Sequence, residues 1–389
     1  MASSRSILVV GAGIFGVAAA LELRRRGHDV RLIDPGPLPH PDAASTDVSK
    51  VIRMDYGADA FYVELMEEAF KGWDAWNRAW DPPLYHETGF LIMTREEMRP
   101  GTFEHDSYAL LRKRGHALSR IDARELKERF GAWNAAGYPD GYLNPRAGWA
   151  ESGRVVARLI EEGRAAGVRL MEGRGMAGLI EKRGRVGGIV DTLGEVHEAD
   201  FVVAAMGAWT PRLLPHLASV MSVVGQPVFH FLPADPSPFR AEVFPTWAAD
   251  ISRTGWYGFP ALPDGRTKVA NHGPGRPVDP SGPRDVLDSD EAAFRAFLAG
   301  TFPALAEAPV VAKRLCLYCD AWDGDFYIDH DPAHPGLVLA TGGSGHGFKF
   351  APVLGRIIAD VLEGALNKFA FRFLWRERRA ARKEDARNA

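Results

Sequence analysis

The sequence predicts an α/β fold: a discontinuous Rossmann-like dinucleotide-binding domain, interrupted by a second, α+β domain built on an antiparallel sheet. Three observations predict it. The chain opens on a strand, a glycine turn and a helix; its middle is rich in proline and aromatics with short alternating runs; its carboxy end returns to strand, glycine turn and helix. With 389 residues, 46% hydrophobic and 25% charged, there is apolar material for two cores rather than one. The interruption assigns residues 1–85, 150–220 and 320–389 to the dinucleotide domain and 86–149 and 221–319 to the second.

Ile7-Leu8-Val9-Val10 is a continuous apolar, partly β-branched run, the pattern of a strand buried on both faces of a parallel sheet. Gly11-Ala12-Gly13-Ile14-Phe15-Gly16 follows at once, then a helix from Val17 to Arg26 that Gly27 ends, and a second strand, Val30 to Ile33, closing on Asp34. This is Gly-x-Gly-x-x-Gly in its required strand–turn–helix context with an acid about twenty residues on. Gly11 permits the tight turn, Gly13 lets backbone approach a pyrophosphate, and Gly16 lets helix pack on strand, with the anion at the helix amino terminus. Asp34 suits a ribose, and its carboxylate opposes a 2′-phosphate; the motif alone does not separate FAD from NAD.

Pro35 to Ser45 is loop-like, and Asp47 to Arg53 follows it. Tyr62 to Trp80 is an amphipathic helix whose Leu65, Phe70, Trp73 and Trp76 suit a core. His86 to Met93 forms a strand entered from a turn; Ser107 to Arg114 and Asp122 to Phe130 form surface helices. Val155 to Ala166 is a helix closed by Gly167 ahead of a Val168-Arg169-Leu170 strand, and Glu198 to Trp209 is a buried strand running into a glycine turn. Val223 to Val311, with runs such as Trp256-Tyr257-Gly258-Phe259 and Thr267-Lys268-Val269-Ala270, makes the antiparallel sheet. Leu337 to Ala340 is again a strand and Val353 to Leu362 a helix, while the charge-dense tail from Arg376 to Ala389 suits a solvated or frayed helix end.

A net charge of -3 gives no basic field for nucleic acid, so an anionic substrate must be met by local charges. The apolar stretch Ile7 to Leu23 is broken by glycines and carries no small-residue cleavage site, so neither a membrane anchor nor a signal peptide is expected. Two cysteines provide no disulfide framework, and a reducing, cytoplasmic setting follows.

Cys316-Leu317-Tyr318-Cys319 lacks a second soft pair, and none of the 12 histidines stands beside it at ligand spacing, so no metal site is expected. One cysteine alone still suits a covalent tether. Thr341 to Phe350 follows a strand and precedes a helix; its backbone amides suit an anion or ring edge, while a plain turn with a solvated Lys349 explains it equally well. Lys268 and His272, four apart on a strand, share one face, a spacing that taken alone favours a solvent-facing pair. Lys50 and Arg53, three apart, fit one side of a helical turn.

Taken together these segments, with Tyr56-Gly57, Gly207-Ala208-Trp209 and Tyr257-Gly258-Phe259-Pro260, resemble the D-amino-acid-oxidase-like flavoenzymes, in the branch of monomeric sarcosine oxidase and fructosyl-amino-acid oxidase. The likeness spans nearly the whole chain. It implies FAD bound through Gly11, Gly13, Ile14, Phe15, Gly16, Asp34, Ser45, Lys50, Gly207, Trp209, Gly343, Gly345, His346, Gly347, Phe348 and Lys349, tethered by a thioether from Cys316 to the flavin 8α-methyl group. It further implies that Arg53 and Lys349 hold a substrate carboxylate, that His272 and Tyr318 line the pocket, and that Lys268 supplies positive charge where oxygen is reduced. The implied reaction takes hydride from the carbon beside the amine of an N-substituted amino acid, hydrolyses the imine and gives hydrogen peroxide. A monomer is implied, acting on a small amino acid with a free carboxylate and on oxygen, with no nucleic acid or membrane partner. Lys50 departs from the arginine of sarcosine oxidase toward the lysine of the fructosyl-amino-acid enzymes, which points to a bulkier nitrogen substituent; Cys319 departs without an assigned role. Two rivals remain: a flavin dehydrogenase that passes electrons to a carrier, and a non-enzymatic dinucleotide-binding module.

Overall fold

The computed structural model describes residues 4–379. The amino-terminal run forms strand Ser6–Val10, central in a six-stranded sheet. Parallel neighbours Asp29–Asp34 and Phe201–Ala204 flank it, Arg169–Glu172 and Leu337–Thr341 extend the parallel set, and Tyr327–His330 closes one edge as an antiparallel hairpin. The absence of polar alternation has a visible cause. Ile7 and Val9 enter the core beneath the helices, whereas Leu8 and Val10 enter a separate core on the opposite face.

Helices Ile14–Arg25, Ser152–Ala166 and Ala351–Glu363 cover the first face. Small residues set their spacing: a Cβ on Gly355 would stand 2.4 Å from the Ala18 carbonyl oxygen, so the two helices touch backbone to backbone. On the other face lies a three-stranded sheet of Met176–Lys182, Arg185–Asp191 and Val196–Glu198. The single strand expected from Glu198 to Trp209 is therefore two: Glu198 ends that small sheet, and only Phe201–Ala204 joins the large one. The intervening Ala199-Asp200 turns the chain; the Asp200 amide bonds to the Ser6 carbonyl.

The second large sheet is built around Met221–Phe231, which pairs along its length with Val310–Ala321. Thr267–Asn271, Trp256–Ala261, Thr246–Ala249, Phe90–Thr94 and Asp140–Asn144 follow in order. It is not wholly antiparallel as expected, because Thr246–Ala249 runs parallel to Phe90–Thr94. The middle segment also holds a helix, Asp288–Thr301, which packs Phe294, Phe297 and Leu298 into this sheet's core; the Asp290 carboxylate accepts the Leu287 amide at its start. His86 to Met93 likewise divides, with Tyr85–His86 in a small fourth sheet and Phe90–Thr94 in the second large one, separated by a turn in which Gly89 takes φ +79.

Val310–Ala321 shows most directly how sequence is read out by position. Its first residues alternate between half-buried and exposed, as on a one-sided sheet, and from Leu315 onward every residue is buried. The strand there leaves the surface and enters the junction where the cavities lie. The start of the carboxy-terminal tail is docked rather than solvated: Arg376 pairs with Asp323 and lies 4.1 Å from the Tyr327 ring centroid, while residues 380–389 lie outside the described set. No helix among the described residues is long and apolar enough to cross a membrane.

Candidate active site

Two adjoining cavities open where the carboxyl ends of the parallel strands meet Val310–Ala321, the usual place for a ligand in an open α/β sheet. Gly11 lies at the turn with φ +99, and a Cβ there would stand 2.5 Å from the Ala205 carbonyl oxygen. A Cβ on Gly16 would fall 1.8 Å from the Gly11 carbonyl, so this glycine serves helix packing and does not line the cavity. Gly13, Ile14 and Phe15 face the larger cavity. Helix Ile14–Arg25 has no acidic residue in its first turn, and its Gly13 cap brings no side-chain acceptor, so the positive end of the helix is presented to the cavity.

Asp34 accepts the Ala12 amide at 2.8 Å on one oxygen and the Gly36 amide at 3.0 Å on the other, which fixes the carboxylate at the cavity wall. Burial raises its pKa against the pull of those two amides. Ser45 accepts the Ile14 amide at 3.0 Å and so holds the 40–45 loop against the glycine turn. Gly207 and Trp209 supply a further wall, and Gly343, Gly345, Gly347 and Phe348 the opposite one. Gly345 has φ +72, and a Cβ there would lie 2.3 Å from the Tyr318 ring, so the loop can lie flat on that ring only as glycine. A glycine turn, a helix start with no acidic residue in its first turn, an acid ending the second strand at the cavity wall and a glycine loop opposite together fit an extended dinucleotide.

The smaller cavity gathers Arg53, His272, His346 and Lys349, and it shares Lys50, Tyr318, Gly345 and Phe348 with the larger one. Lys50 sits on strand Lys50–Ile52, paired with Gly148–Ala150, and not on the helical turn its spacing to Arg53 suggested. Sheet pairing decides this, since a three-residue strand has no local signature of its own. Arg53 donates to the Asp55 carbonyl and is ringed by Tyr56, Phe90 and Phe103 at 5.2 to 5.9 Å, with no ion pair to a carboxylate among the described residues. Lys349 is buried, not solvated: its Nζ donates to the Tyr56 hydroxyl at 3.0 Å and to the His346 carbonyl at 3.2 Å. The order of protons follows from the far end. The Gly324 carbonyl can only accept, so His346 carries its proton on Nε2 (2.9 Å), its Nδ1 accepts the Tyr56 hydroxyl at 3.0 Å, and the Tyr56 oxygen is left to accept from Lys349. Tyr56 thus orients the lysine, a function its sequence context did not disclose.

Lys268 and Cys316 line neither cavity. The solvent-facing reading of the Lys268 and His272 pair does not hold, because Lys268 is 1% exposed and His272 lies one residue beyond strand Thr267–Asn271, on the smaller cavity. The ammonium of Lys268 donates at 2.7 Å to both Asp47 Oδ2 and the Ser49 carbonyl, and lies 4.7 Å from the Phe259 ring. Asp47 Oδ2 also meets Lys50 Nζ at 3.5 Å. Burial alone would raise the Asp47 carboxyl, yet Lys268, Lys50 and Arg314 hold it well below the usual carboxylate range. Burial pushes Lys268 down to about 8, with Lys50 adding to the effect and Asp47 opposing it. One buried carboxylate therefore serves two ammonium groups, leaving net positive charge where the cavities join. Asp47 was missed in the sequence because an isolated acid in a loop carries no pattern.

Removing that carboxylate strands two cations. Asp47→Asn is expected to destabilise the fold by about 3–5 kcal/mol in urea unfolding, the cost of leaving buried charge unpaired, and a loss under about 1 kcal/mol would show the knot to be solvated.

Cys316 is buried beside the junction, its Sγ 3.7 Å from Lys50 Nζ, and shares an apolar cluster with Tyr318 two residues on. Cys319, left without a role by its sequence, lines the larger cavity near Thr341; burial pushes its thiol up to about 11, so it stays protonated and unreactive.

The family model described as FAD dependent oxidoreductase matches residues 6–361. Monomeric sarcosine oxidase of Bacillus sp. (strain B-0618) is 25% identical over 371 residues, covering 93% of each chain. N-methyl-L-tryptophan oxidase of Escherichia coli O81 (strain ED1a) is 28% identical over 379 residues, covering 93% of this chain and 96% of its own. Among solved structures, the fructosyl amine:oxygen oxidoreductase Amadoriase I of Aspergillus fumigatus has a TM-score of 0.81 at 27% identity, over 97% of this chain and 90% of that one.

Proposed function

The chain belongs to the FAD-dependent oxidoreductase family, and from that premise we propose that it oxidises the C–N bond of an N-substituted amino acid in the smaller cavity, beside FAD held in the larger one. Bound FAD supplies the hydride acceptor and the route by which electrons reach oxygen as hydrogen peroxide. The observation that carries the reading is the convergence of Arg53 and Lys349 on a pocket sharing a wall with the dinucleotide cleft.

The protein's tasks are binding, orientation and charge. The helix start behind Gly13 receives the pyrophosphate and Asp34 the ribose, while Ser45 keeps the turn in shape. Arg53 offers a planar fork and Lys349 a point charge to one carboxylate, which sets the reacting carbon at the junction of the two cavities. Tyr56 and His346 hold Lys349 in place. His272 and Tyr318 shape the space for the nitrogen substituent, and Phe90, Ile251 and Phe348 limit water there. Cations around the carboxylate lower the pKa of the bound amine, so the neutral form needed for oxidation is reached without a dedicated base. Lys50 and Lys268 provide positive charge for the oxygen reaction. A module that only bound a dinucleotide would have no use for the paired Arg53 and Lys349.

Residues 1–85, 150–220 and 320–389 are assigned to cofactor binding and 86–149 and 221–319 to the substrate side, with 380–389 outside the described residues. The chain is assigned as a monomer by its likeness to monomeric sarcosine oxidase, and two free thiols suit the cytoplasm.

We assign the flavin tether to Cys316. The protein's yellow colour is expected to stay with the acid-precipitated pellet in wild type and Cys319→Ala, and to pass to the supernatant in Cys316→Ala; colour retained by Cys316→Ala removes the assignment. The substrate class is tested by a peroxide screen over sarcosine, N-methyl amino acids, iminodiacetate, pipecolate, saccharopine and fructosyl amino acids. Turnover is expected with at least one secondary amino acid and not with its decarboxylated amine. Equal turnover of both would exclude the carboxylate clamp.

A further inference from the structure

Away from both cavities, His216, Asp331 and His334 bring three potential ligand atoms within 4.8 Å of one another. His216 belongs to the short turn Pro215–Ser219, and the other two belong to the connection between strands Tyr327–His330 and Leu337–Thr341. We propose that these three side chains bind a divalent transition-metal cation of the zinc type, a site that no local spacing discloses because His216 and Asp331 stand 115 residues apart.

Three features separate this cluster from a chance surface ion pair. The Asp331 carboxylate is fully buried, at 0% side-chain exposure, and has no lysine or arginine partner among the described residues. A buried anion needs a compensating charge, and the side chains that reach this one among the described residues, two imidazoles, are themselves metal-ligand types. Second, the carboxylate is pre-oriented: the amides of Ala333 and His334 donate to Oδ1 at 2.8 and 3.2 Å, which leaves Oδ2 facing His216 Nε2 at 2.6 Å. Third, the rings stand side by side, centroids 4.5 Å apart, with His334 Nδ1 3.4 Å from the carboxylate. Tetrahedral ligands at about 2.0–2.1 Å from zinc lie roughly 3.3 Å from each other, so small ring movements complete the set. Both imidazoles are about a quarter exposed (28% and 25%), which leaves a fourth position to water.

The other cluster of comparable composition, Asp191, Glu195 and His197, makes the contrast. Arg174 occupies both of its carboxylates at 2.8 and 2.5 Å, so a second cation would be repelled there. At His216, Asp331 and His334 a cation would staple together two segments that both run on into the dinucleotide cleft. One continues from the Gly207–Trp209 wall, and the other leads to the glycines at 342–347.

The test uses tag-free, flavin-loaded protein, stripped with a chelator and dialysed against zinc sulfate. About one zinc per chain and a raised melting temperature are expected for wild type, since a cation that binds only the folded form stabilises it by mass action. His334→Ala and Asp331→Asn should each lose the zinc and the shift. Their flavin colour should be kept, and for His334→Ala so should the melting temperature without metal. Because His216→Ala removes the shortest contact and could loosen the turn by itself, the double variant His216→Ala/His334→Ala provides the second reading. Zinc stoichiometry or a melting shift equal to wild type in the double variant overturns the proposal, as does a wild-type protein that retains no zinc.

Discussion

Replacing Arg53 by methionine is expected to lower kcat/KM for every carboxylate-bearing amine by roughly 10²- to 10³-fold, with most of the loss in KM. The magnitude follows from truncating one half of a desolvated, hydrogen-bonded charge pair, which costs about 2–5 kcal/mol. The guanidinium already sits in a cage of Tyr56, Phe90 and Phe103, and methionine fills that cage without supplying a donor. Lys349→Met should act in the same direction but less strongly, because a point charge lacks the planar fork. Steady-state kinetics with an amino acid and its methyl ester checks the assignment: the variant should lose its preference for the free acid. A variant that kept that preference would place the carboxylate elsewhere.

Lys268→Met is expected to slow reoxidation by oxygen by roughly 10²- to 10³-fold, the usual cost of removing one fixed charge from a developing anion, while substrate oxidation under anaerobic conditions changes far less. Its pH dependence has a definite sign. Burial has brought this ammonium down to about 8, so its charge, and with it the oxygen reaction, fades as pH rises through that value. The folded value lies below the ordinary 10.5, so the charged ammonium opposes folding below about 8, and that opposition lifts between there and 10.5. Substrate oxidation should run the other way, rising with pH as the amine loses its proton. Stopped-flow measurement of each half-reaction separates the two limbs. Equal slowing of both in Lys268→Met refutes the role, and an unchanged oxygen rate transfers it to Lys50, which unlike Lys268 lines both cavities. A carrier-linked dehydrogenase would show slow reoxidation by oxygen already in wild type.

What was legible in the sequence was what is local. The Gly11 to Gly16 turn and Asp34 declare themselves because a tight turn, a close helix and a ribose acceptor each demand one residue type at one offset. The Thr341 to Phe350 loop was ambiguous until its glycines were seen against the rings of Tyr318 and Phe15. Lys268 was illegible for a different reason: its burial is secured by Asp47, 221 residues earlier, and no window of sequence contains both. The parallel pairing of Thr246–Ala249 with Phe90–Thr94 is likewise a long-range choice. Helix Asp288–Thr301, by contrast, carries Phe294, Phe297, Leu298 and Thr301 at helical spacing and was obscured only by the prolines around it.

The likeness to a known family added roles that spacing could not supply, above all for Arg53, Cys316 and Lys349. The geometry adds the partners through which they act: Tyr56 and His346 behind Lys349, and Asp47 between Lys50 and Lys268. Those partners distinguish an oriented charge from a merely nearby one.

A flavin lying beside a carboxylate-binding pocket for secondary amines can be checked by anaerobic mixing of the purified protein with N-substituted amino acids while its visible absorbance is followed. The yellow band is expected to bleach with at least one such compound and to return on admitting air, with hydrogen peroxide formed in step. A colourless protein, or a yellow one that bleaches with primary amines lacking a carboxylate as readily as with secondary amino acids, would contradict it.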